Sequence, residues 1–229
     1  PEGGAHQSVT PPSIGMEQPG CTAWEPAFAQ DLEWILLHAL GRLGKPGGES
    51  AYLRLSTRPV DQELARVPVD PDARQERRAA VLAGGYRILD LEGTSATGIT
   101  LAGVGAVMPE VLAAAEQLNA RGIAVDVLCL TSPDLLYRAW RASRGLRSRA
   151  EDTGIIDELF PASRSRPIVA VLDGHPHTLD WLGAIRGVPA ATLGVDDFGQ
   201  SGDVPDLHRF FGIDTDSIVS TATRMVAAE

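Results

Sequence analysis

Apolar positions from Tyr86 onward alternate between two patterns, one typical of buried strands and one typical of amphipathic helices. Short continuous apolar runs predict the strands, and apolar residues at helical spacing predict the helices between them. The predicted strands are 86–93, 98–105, 123–131, 167–174 and 189–195, and the predicted helices are 106–122, 132–145, 175–187, 204–212 and 214–228. Apolar strands alternating with helices favour an α/β fold with a three-layer, mostly parallel (mixed) sheet and helices on both faces.

Residues 1–60 predict a loop, a helix and a strand in that order. Apolar residues recur at helical spacing in "EPAFAQDLEWILLHALGRLG" (25–44), and Pro46 follows the end of this helix. The alternating pattern over 50–60 predicts a strand that Pro59 ends. We therefore expect one helix and one strand before the α/β pattern begins.

Two segments lack a clear period. Residues 61–85 combine prolines with dense charge, which predicts a linker with a short helical piece running over the surface between two compact units. Residues 146–166 are rich in Arg and Ser and predict irregular structure. The chain therefore divides into residues 1–60, a linker over 61–85, and a larger unit over 86–229.

Composition narrows the choice of partners and compartment. The formal net charge is -10, and no stripe of Lys and Arg is present, so we expect neither nucleic acid nor a membrane as partner. Cys21 and Cys129 are the two cysteines, which excludes a disulfide framework and fits a reducing cytoplasm. Apolar stretches such as "WILLHAL" are too short to span a bilayer. These features predict a cytoplasmic protein.

The stretch "GVGAVMPE" (103–110) follows a strand and opens a helix, as phosphate-binding glycine loops do. It lacks the third glycine of the dinucleotide motif, and Pro109 lies early in the helix. We favour a tight strand-to-helix turn that needs small residues for packing. A free-standing nucleotide binder built on this loop remains a weaker alternative.

The motif "DGHPH" (173–177) also lies between a strand and a helix. His175 and His177 with Asp173 could contact a metal, but a zinc site needs more ligands. We favour helix capping by Asp173 with interfacial histidines and predict no metal site. Whether His175 and His177 bind anything stays open at this point.

Other candidate residues favour structural roles. Cys129 lies between two leucines in a predicted strand, so we interpret it as a small buried hydrophobe. Four arginines in or beside the irregular segment predict a solvated loop, with a docking surface for an acidic partner as the alternative. These arginines are Arg147, Arg149, Arg164 and Arg166. The residues alone thus predict a fold without a self-contained catalytic set.

Three groups of motifs carry a family resemblance. "GGAHQS" (3–8) with "CTAWEPAFAQDLEWIL" (21–36) resembles the end of the pyrimidine-binding domain in thiamine diphosphate enzymes of the transketolase superfamily. "LGVDDFGQSGDVPDLHRFFGIDTDSIV" (193–219) resembles the closing signature of that superfamily's C-terminal domain. "VLCLTSPDLLYRAW" and "YLRLSTRPV" resemble the single-chain E1 branch, typified by homodimeric pyruvate dehydrogenase. Together these motifs extend over essentially the whole chain.

The resemblance implies a domain assignment and a cofactor. Residues 1–60 would be the C-terminal remnant of a pyrimidine-binding domain, and 86–229 a transketolase-type C-terminal domain. Thiamine diphosphate and Mg²⁺ would be bound by upstream domains of a longer parent, and we expect neither in this chain alone. The cofactor-binding residues of this chain are left unknown.

The resemblance also implies one catalytic residue. His6 matches the histidine of the family's G-x-x-H-Q loop, so its implied role is polar positioning or proton transfer near substrate and cofactor. Gly4 and Ala5 replace bulkier residues common in transketolases, and Ser8 replaces a proline. No basic residue lies near His6, which favours a 2-oxo acid over a sugar phosphate.

The resemblance therefore predicts the C-terminal part of a 2-oxo acid (pyruvate-type) dehydrogenase E1 that is inactive alone. It would support homodimer assembly and the edge of the active site, with upstream domains and the E2 core as further partners. Two alternatives remain open: a fragment of a transketolase, and a non-catalytic assembly or E2-docking module.

Overall fold

The computed structural model describes residues 8–93, 98–146 and 153–228. Its strands form a sheet of two and a sheet of five. The strands are β1 (Cys21–Trp24), β2 (Ser50–Leu53), β3 (Gly85–Leu91), β4 (Gly98–Val104), β5 (Ala124–Leu130), β6 (Ile168–Val171) and β7 (Ala190–Leu193). The larger sheet has the order β3-β5-β4-β6-β7, with β3 antiparallel and every other pair parallel. The predicted mostly parallel, mixed sheet is therefore confirmed.

Helices pack around this sheet. They are α1 (Ile14–Glu17), α2 (Ala29–Arg42), α3 (Pro71–Ala83), α4 (Met108–Ala120), α5 (Pro133–Ser143), α6 (Gly154–Leu159), α7 (Val204–Phe210) and α8 (Thr215–Ala227). Helix α5 begins with a capping residue and a proline in its first turn. The Ser132 side chain accepts a hydrogen bond from the Leu135 N–H, and Pro133 occupies the first turn. None of the helices in the described part of the chain has the length and apolar character needed to cross a membrane.

The two faces of the larger sheet carry different helices. On one face Gly103 leaves space for α4, because a Cβ there would lie 2.5 Å from the sulfur of Met108. The side chain of Asp126 belongs to the opposite face, since neighbouring residues of a strand alternate sides. There it lines a small cavity together with Leu159 of α6. The sheet thus lies between helices on both faces.

Asp126 anchors the chain that returns to β6. This carboxylate is 1% exposed and forms ion pairs with Arg87 at 2.8 Å, Arg164 at 3.0 Å and Arg166 at 3.0 Å. Arg164 is exposed, as the predicted solvated loop requires, but a buried carboxylate on the sheet binds both Arg164 and Arg166, and the sequence did not predict that contact. The other two arginines of that prediction, Arg147 and Arg149, lie outside the described residues.

The first sheet packs directly on the larger unit. β1 and β2 are parallel and are joined by the crossover helix α2. Trp24, Phe28 and Ile35 belong to the same apolar core as the strands of the larger sheet. The division into residues 1–60, 61–85 and 86–229 stays a prediction, although a continuous core extends across its first boundary.

The outer edge of β1 is bonded to α5. Ser132 Oγ donates to the Ala23 carbonyl at 2.6 Å, and the Ala23 N–H donates to Asp134 Oδ2 at 3.2 Å. Arg138 forms an ion pair with Asp134 at 2.8 Å and donates to the carbonyl of Cys21. Side chains of α5 therefore satisfy the backbone groups that a third strand would otherwise satisfy.

Several predicted elements differ from the structure. The range 61–85 contains the full helix α3, which Asp70 caps and which buries Ala80 and Val81. The segment 146–166, predicted to be irregular, contains α6. The helix predicted over 175–187 is instead two 3₁₀ stretches, Pro176–Thr178 and Asp180–Ile185. Gly183 packs closely against the segment that leads into β7, where a Cβ would lie 2.7 Å from the Val188 carbonyl.

Candidate functional site

The order of the larger sheet places a switch point between β4 and β6. The crossover from β4 leads to β5 on one side, whereas β6 lies on the other side of β4. In open parallel sheets, ligands bind in the crevice at the carboxyl ends of such strands. Here that crevice is a cavity of about 250 Å³ whose lining includes Gly105 after β4 and Asp173 after β6.

Residues that follow β1 and β2 fill part of this crevice. Glu25 is 6% exposed and forms an ion pair with Arg54. The second Nη of Arg54 lies 3.3 Å from Asp173 Oδ2. Burial raises the pKa of Glu25 to about 7; Arg54 acts to lower it, and the neighbouring Asp173 charge raises it again. The crevice thus contains a carboxylate–arginine–carboxylate row.

Gly105 makes room for Glu25 at the start of α4. Its φ is +63°, a conformation that favours glycine, and a Cβ there would lie 2.6 Å from Glu25 Oε1. The stretch "GVGAVMPE" is therefore a packing turn, as we favoured. The position beside the turn where a phosphate loop would hold its anion is taken by the chain's own carboxylate.

A second ion pair joins the segment after β2 to α4 and α7. Arg58 donates to both carboxylate oxygens of Glu110, at 2.9 Å and 2.7 Å, and to the Ala106 carbonyl at 3.1 Å. His208 Nδ1 lies 3.3 Å from Glu110 Oε1, but without good hydrogen-bond alignment. Burial acts to raise the pKa of Glu110, yet His208 and Arg58 outweigh it and lower the pKa to about 2.

His6 lies outside the described residues, so its implied role stays a prediction. The segment that follows it is attached to the loop after β6. The His175 N–H donates to the Val9 carbonyl at 2.9 Å. Gly174 packs against Pro12 so closely that a Cβ would lie 2.5 Å from Pro12 Cγ.

The predicted capping role of Asp173 is wrong. Asp173 pairs with Arg54, and the cap of the following 3₁₀ turn is His175, whose side chain accepts from the His177 N–H at 3.3 Å. The Nδ1 atoms of His175 and His177 lie 2.7 Å apart. Glu17 is 3.9 Å from His177. Across residues 8–93, 98–146 and 153–228, no group of at least three His, Cys, Asp or Glu side chains could hold a metal ion.

A further cavity lies on the other side of the Arg54–Asp173 pair. Its volume is about 350 Å³, and it extends from Ser8 and Val9 to α7. Residues of the closing motif line it, including Gly199, Gln200, His208 and Phe211. The residues after His6, the row of charges and the closing motif are therefore neighbours in space.

Glu25 and Glu110 were not among the residues singled out from the sequence. Glu25 follows the last residue of β1, and Arg54 follows the last residue of β2. Charged residues directly after strand ends were the available signal, because the carboxyl ends of strands converge on ligand sites. Arg54 lies 29 positions from its partner Glu25 and 119 positions from its partner Asp173. No local pattern reveals contacts over such separations.

These features define an α/β unit of the transketolase C-terminal type, with the strands β1 and β2 packed on it. The family model described as the transketolase-like TK C-terminal domain matches residues 84–214, more than half of the chain, and the chain belongs to this family.

Curated relatives divide between two kinds of enzyme. The chain is 31% identical, over its whole length, to 25% of the pyruvate dehydrogenase E1 component of Corynebacterium glutamicum. Over 96% of its length it is 29% identical to 31% of the chromosomal transketolase of Cupriavidus necator. The chain therefore spans between a quarter and a third of the length of these relatives.

Solved structures agree on the fold. A transketolase variant from Pichia stipitis superimposes with a TM-score of 0.70 at 17% identity, over 99% of this chain and 28% of that chain. A split-gene transketolase, an inactive beta4 tetramer, superimposes with a TM-score of 0.68 at 19% identity, over 97% of this chain and 62% of that chain. At these identities the likeness shows the fold alone.

Proposed function

We propose that the chain is the C-terminal part of a thiamine diphosphate-dependent 2-oxo acid (pyruvate-type) dehydrogenase E1. In this proposal it supports dimer assembly, forms one edge of the active site and has no activity alone. The motifs near both ends resemble that branch, and the match to the Corynebacterium glutamicum E1 component extends over the whole chain. The cytoplasm is the proposed location.

The state of the crevice arginines favours a 2-oxo acid over a ketose phosphate. A phosphate needs basic side chains that are free to bind it. Arg54 is bound to Glu25 and Asp173, and Arg58 is bound by both oxygens of Glu110. The two arginines that follow β2 are thus neutralised by carboxylates of the same chain, and this observation carries the proposal.

The described residues do not fit the cofactor. The diphosphate of thiamine diphosphate would meet the carboxylate of Glu25 beside Gly105, and Mg²⁺ would lie against Arg54. Upstream domains would therefore supply the sites for both, as the resemblance implies. In this proposal His6 contacts the 2-oxo acid and positions it or transfers a proton, a role that an imidazole with a pKa near neutrality can fill.

The test is reconstitution with the polypeptide encoded directly upstream of Pro1. The complex, supplied with thiamine diphosphate and Mg²⁺, is assayed with pyruvate and ferricyanide, and separately with ketose phosphates. We expect turnover of the 2-oxo acid, no turnover by the isolated chain, and a loss of about a hundredfold or more for His6→Ala. The control His177→Ala alters an exposed histidine and is expected to leave turnover unchanged.

Transketolase is the second candidate, supported by the 29% identity to the Cupriavidus necator enzyme. A reconstituted complex that prefers ketose phosphates to pyruvate would replace the first proposal with this one. Robust turnover by the isolated chain would contradict both.

A non-catalytic module is the third candidate, which would assemble the homodimer or dock an E2 core. Light scattering of the reconstituted complex tests the dimer, and a complex with one copy of the chain at all concentrations would contradict it. Added E2 core that fails to co-elute with the complex would contradict the E2 partner.

A further inference from the structure

A further cavity, of about 250 Å³, lies between the two-stranded sheet and the helices α2, α3 and α5. Apolar walls from Trp24, Leu82 and Leu135 enclose part of it, and the side chains of His38 and Arg42 face the same space. No described residue lines both this cavity and the crevice at the carboxyl ends of β4 and β6. The proposed function makes no use of it.

Helices α2 and α3 lie side by side next to this cavity. Arg74 of α3 donates to Gln30 of α2, and its guanidinium lies 5.2 Å from the centre of the Trp34 ring. Residues four positions apart on a helix share a face. One turn further along the two helices, that spacing brings His38 of α2 next to Arg78 of α3.

Two arginines without a carboxylate partner surround His38. Arg42 donates to the Gly47 carbonyl, and the buried Nε of Arg78 has no hydrogen-bond partner. Leu82, one turn after Arg78 on α3, lines the cavity. Burial lowers the pKa of His38, and the charges of Arg42 and Arg78 lower it further. The three groups are therefore close enough to contact one ligand.

One carboxylate also lines the cavity, and the chain itself binds it. Glu49 Oε2 accepts from the Thr22 hydroxyl at 2.7 Å and from Arg138 at 2.9 Å. Arg138 also forms an ion pair with Asp134 at 2.8 Å. With the two unpaired arginines included, positive charges outnumber negative ones here, although the whole chain has a formal net charge of -10. The cavity therefore favours an anionic ligand.

We propose that this cavity binds a small metabolite through its phosphate group. The guanidinium groups of Arg42 and Arg78 and the imidazole of His38 bind the phosphate oxygens, and Trp24 contacts the organic part of the ligand. The site is separate from the crevice and does not depend on the proposed function.

The number and kind of donors favour a phosphate over a carboxylate. A phosphate monoester has between one and two negative charges near pH 7 and three acceptor oxygens, whereas a carboxylate has one charge and two oxygens. Two guanidinium groups match the charge and hydrogen-bonding geometry of a phosphate, and the imidazole supplies a further donor. The apolar walls have no use for an inorganic ion, so they favour a phosphate ester.

The test measures binding of glycerol 3-phosphate to the full 229-residue chain by isothermal titration calorimetry, with inorganic phosphate and malonate as comparison ligands. Arg42→Gln/Arg78→Gln removes two charges beside the cavity and retains polar side chains. The matched control is Arg121→Gln/Arg144→Gln, which removes two exposed arginines that do not line the cavity. Circular dichroism and urea midpoints verify that each variant is folded.

We expect saturable binding of glycerol 3-phosphate, about tenfold or more weaker binding by the cavity variant, and wild-type binding by the control. In NMR titrations the bound ligand should raise the pKa of His38, because a dianion stabilises the imidazolium form. The variant His38→Gln identifies the resonances of this imidazole.

Wild-type binding by the cavity variant, or a His38 titration that the ligand leaves unchanged, would overturn the proposal. Tighter binding of malonate would overturn the assignment of a phosphate, and tighter binding of inorganic phosphate would overturn the assignment of an ester. All of these measurements are made without turnover, so their outcome is independent of whether the proposed function holds.

Discussion

The carboxylate of Glu25 lies where a side chain on Gly105 would have to be. A Cβ on Gly105 would come within 2.6 Å of Glu25 Oε1, and the glycine has a φ of +63°. Glu25 is held in this place by Arg54. The contact fastens the end of β1 to the turn that starts α4, so it connects the two sheets at the crevice.

Replacement of this glycine is expected to destabilise the protein by two separate effects. In Gly145→Ala, where φ is +67° and nothing lies within 4 Å, only the left-handed backbone contributes, at about 1–2 kcal/mol. Gly105→Ala should cost about 1–3 kcal/mol more, because its Cβ must displace a buried ion pair. Urea unfolding of both variants measures the difference. Equal losses of unfolding free energy in the two variants would show that the Glu25 side chain moves aside at no cost.

Ser132→Ala tests the closed edge of β1. The hydroxyl caps α5 and also donates to the buried Ala23 carbonyl at 2.6 Å. We expect a loss of about 2–3 kcal/mol, from the cap and from an unsatisfied carbonyl. Asp203→Ala removes the exposed cap of α7 and should cost about 1 kcal/mol. Equal losses in urea unfolding would indicate that the bond to β1 adds nothing.

Asp31 should make stability depend on pH. Burial raises its pKa to about 6, against the Tyr86 hydroxyl and Arg77, which both lower it. The folded state thus holds this proton more tightly than the unfolded state, whose carboxyl titrates near pH 4. The contribution of Asp31 to stability is full below about pH 4 and is lost as pH rises to about 6, by up to about 1.4 kcal/mol per pH unit.

Asp31→Asn keeps an acceptor for Tyr86 and removes the titration. Between about pH 4 and 6 the variant should gain stability relative to the wild type. Above about pH 6 the difference in unfolding free energy between the variant and the wild type should stay constant. Urea unfolding in a pH series measures it, and parallel curves for the two proteins would contradict a buried, titrating Asp31.

The two thiols should differ in reactivity. Cys129 is fully buried, as its position in the sequence predicted, and burial raises its pKa far above the usual range. Cys21 is partly exposed, although burial and the nearby Asp134 raise its pKa as well. We expect one slowly reacting thiol in the native protein and two in urea, measured with Ellman's reagent. In Cys21→Ala, rapid native labelling would show that the sheet opens around Cys129.

Local patterns predicted the elements that have a clear apolar face and recognisable ends. Helix α5 followed from Ser132 and Pro133, and β4 and β5 followed from continuous apolar runs. Helix α3 was predicted as a short piece because prolines and dense charge obscure its narrow apolar face, of which only Ala80 and Val81 are fully buried. The two 3₁₀ stretches after Pro176 shared their apolar spacing with an α-helix, so periodicity could not separate the two structures.

The candidate site was harder to predict for a physical reason. Its contacts join strand ends that only the complete sheet order brings together. Asp173 was interpreted as a cap because the local sequence offers it a helix start, whereas Arg54 competes for it from a distant strand. The ion pairs of Arg164 and Arg166 were missed for the same reason, since their partner Asp126 lies on another strand.

The bonds between β1 and α5 have a consequence for the connection after β2. The first strands are held by Ser132, Asp134 and Arg138, and do not depend on the covalent link between residues 54 and 70 for their position. Val69 on that link is 96% exposed, which makes it accessible to a protease. A nick there should leave both pieces associated until a denaturant separates them.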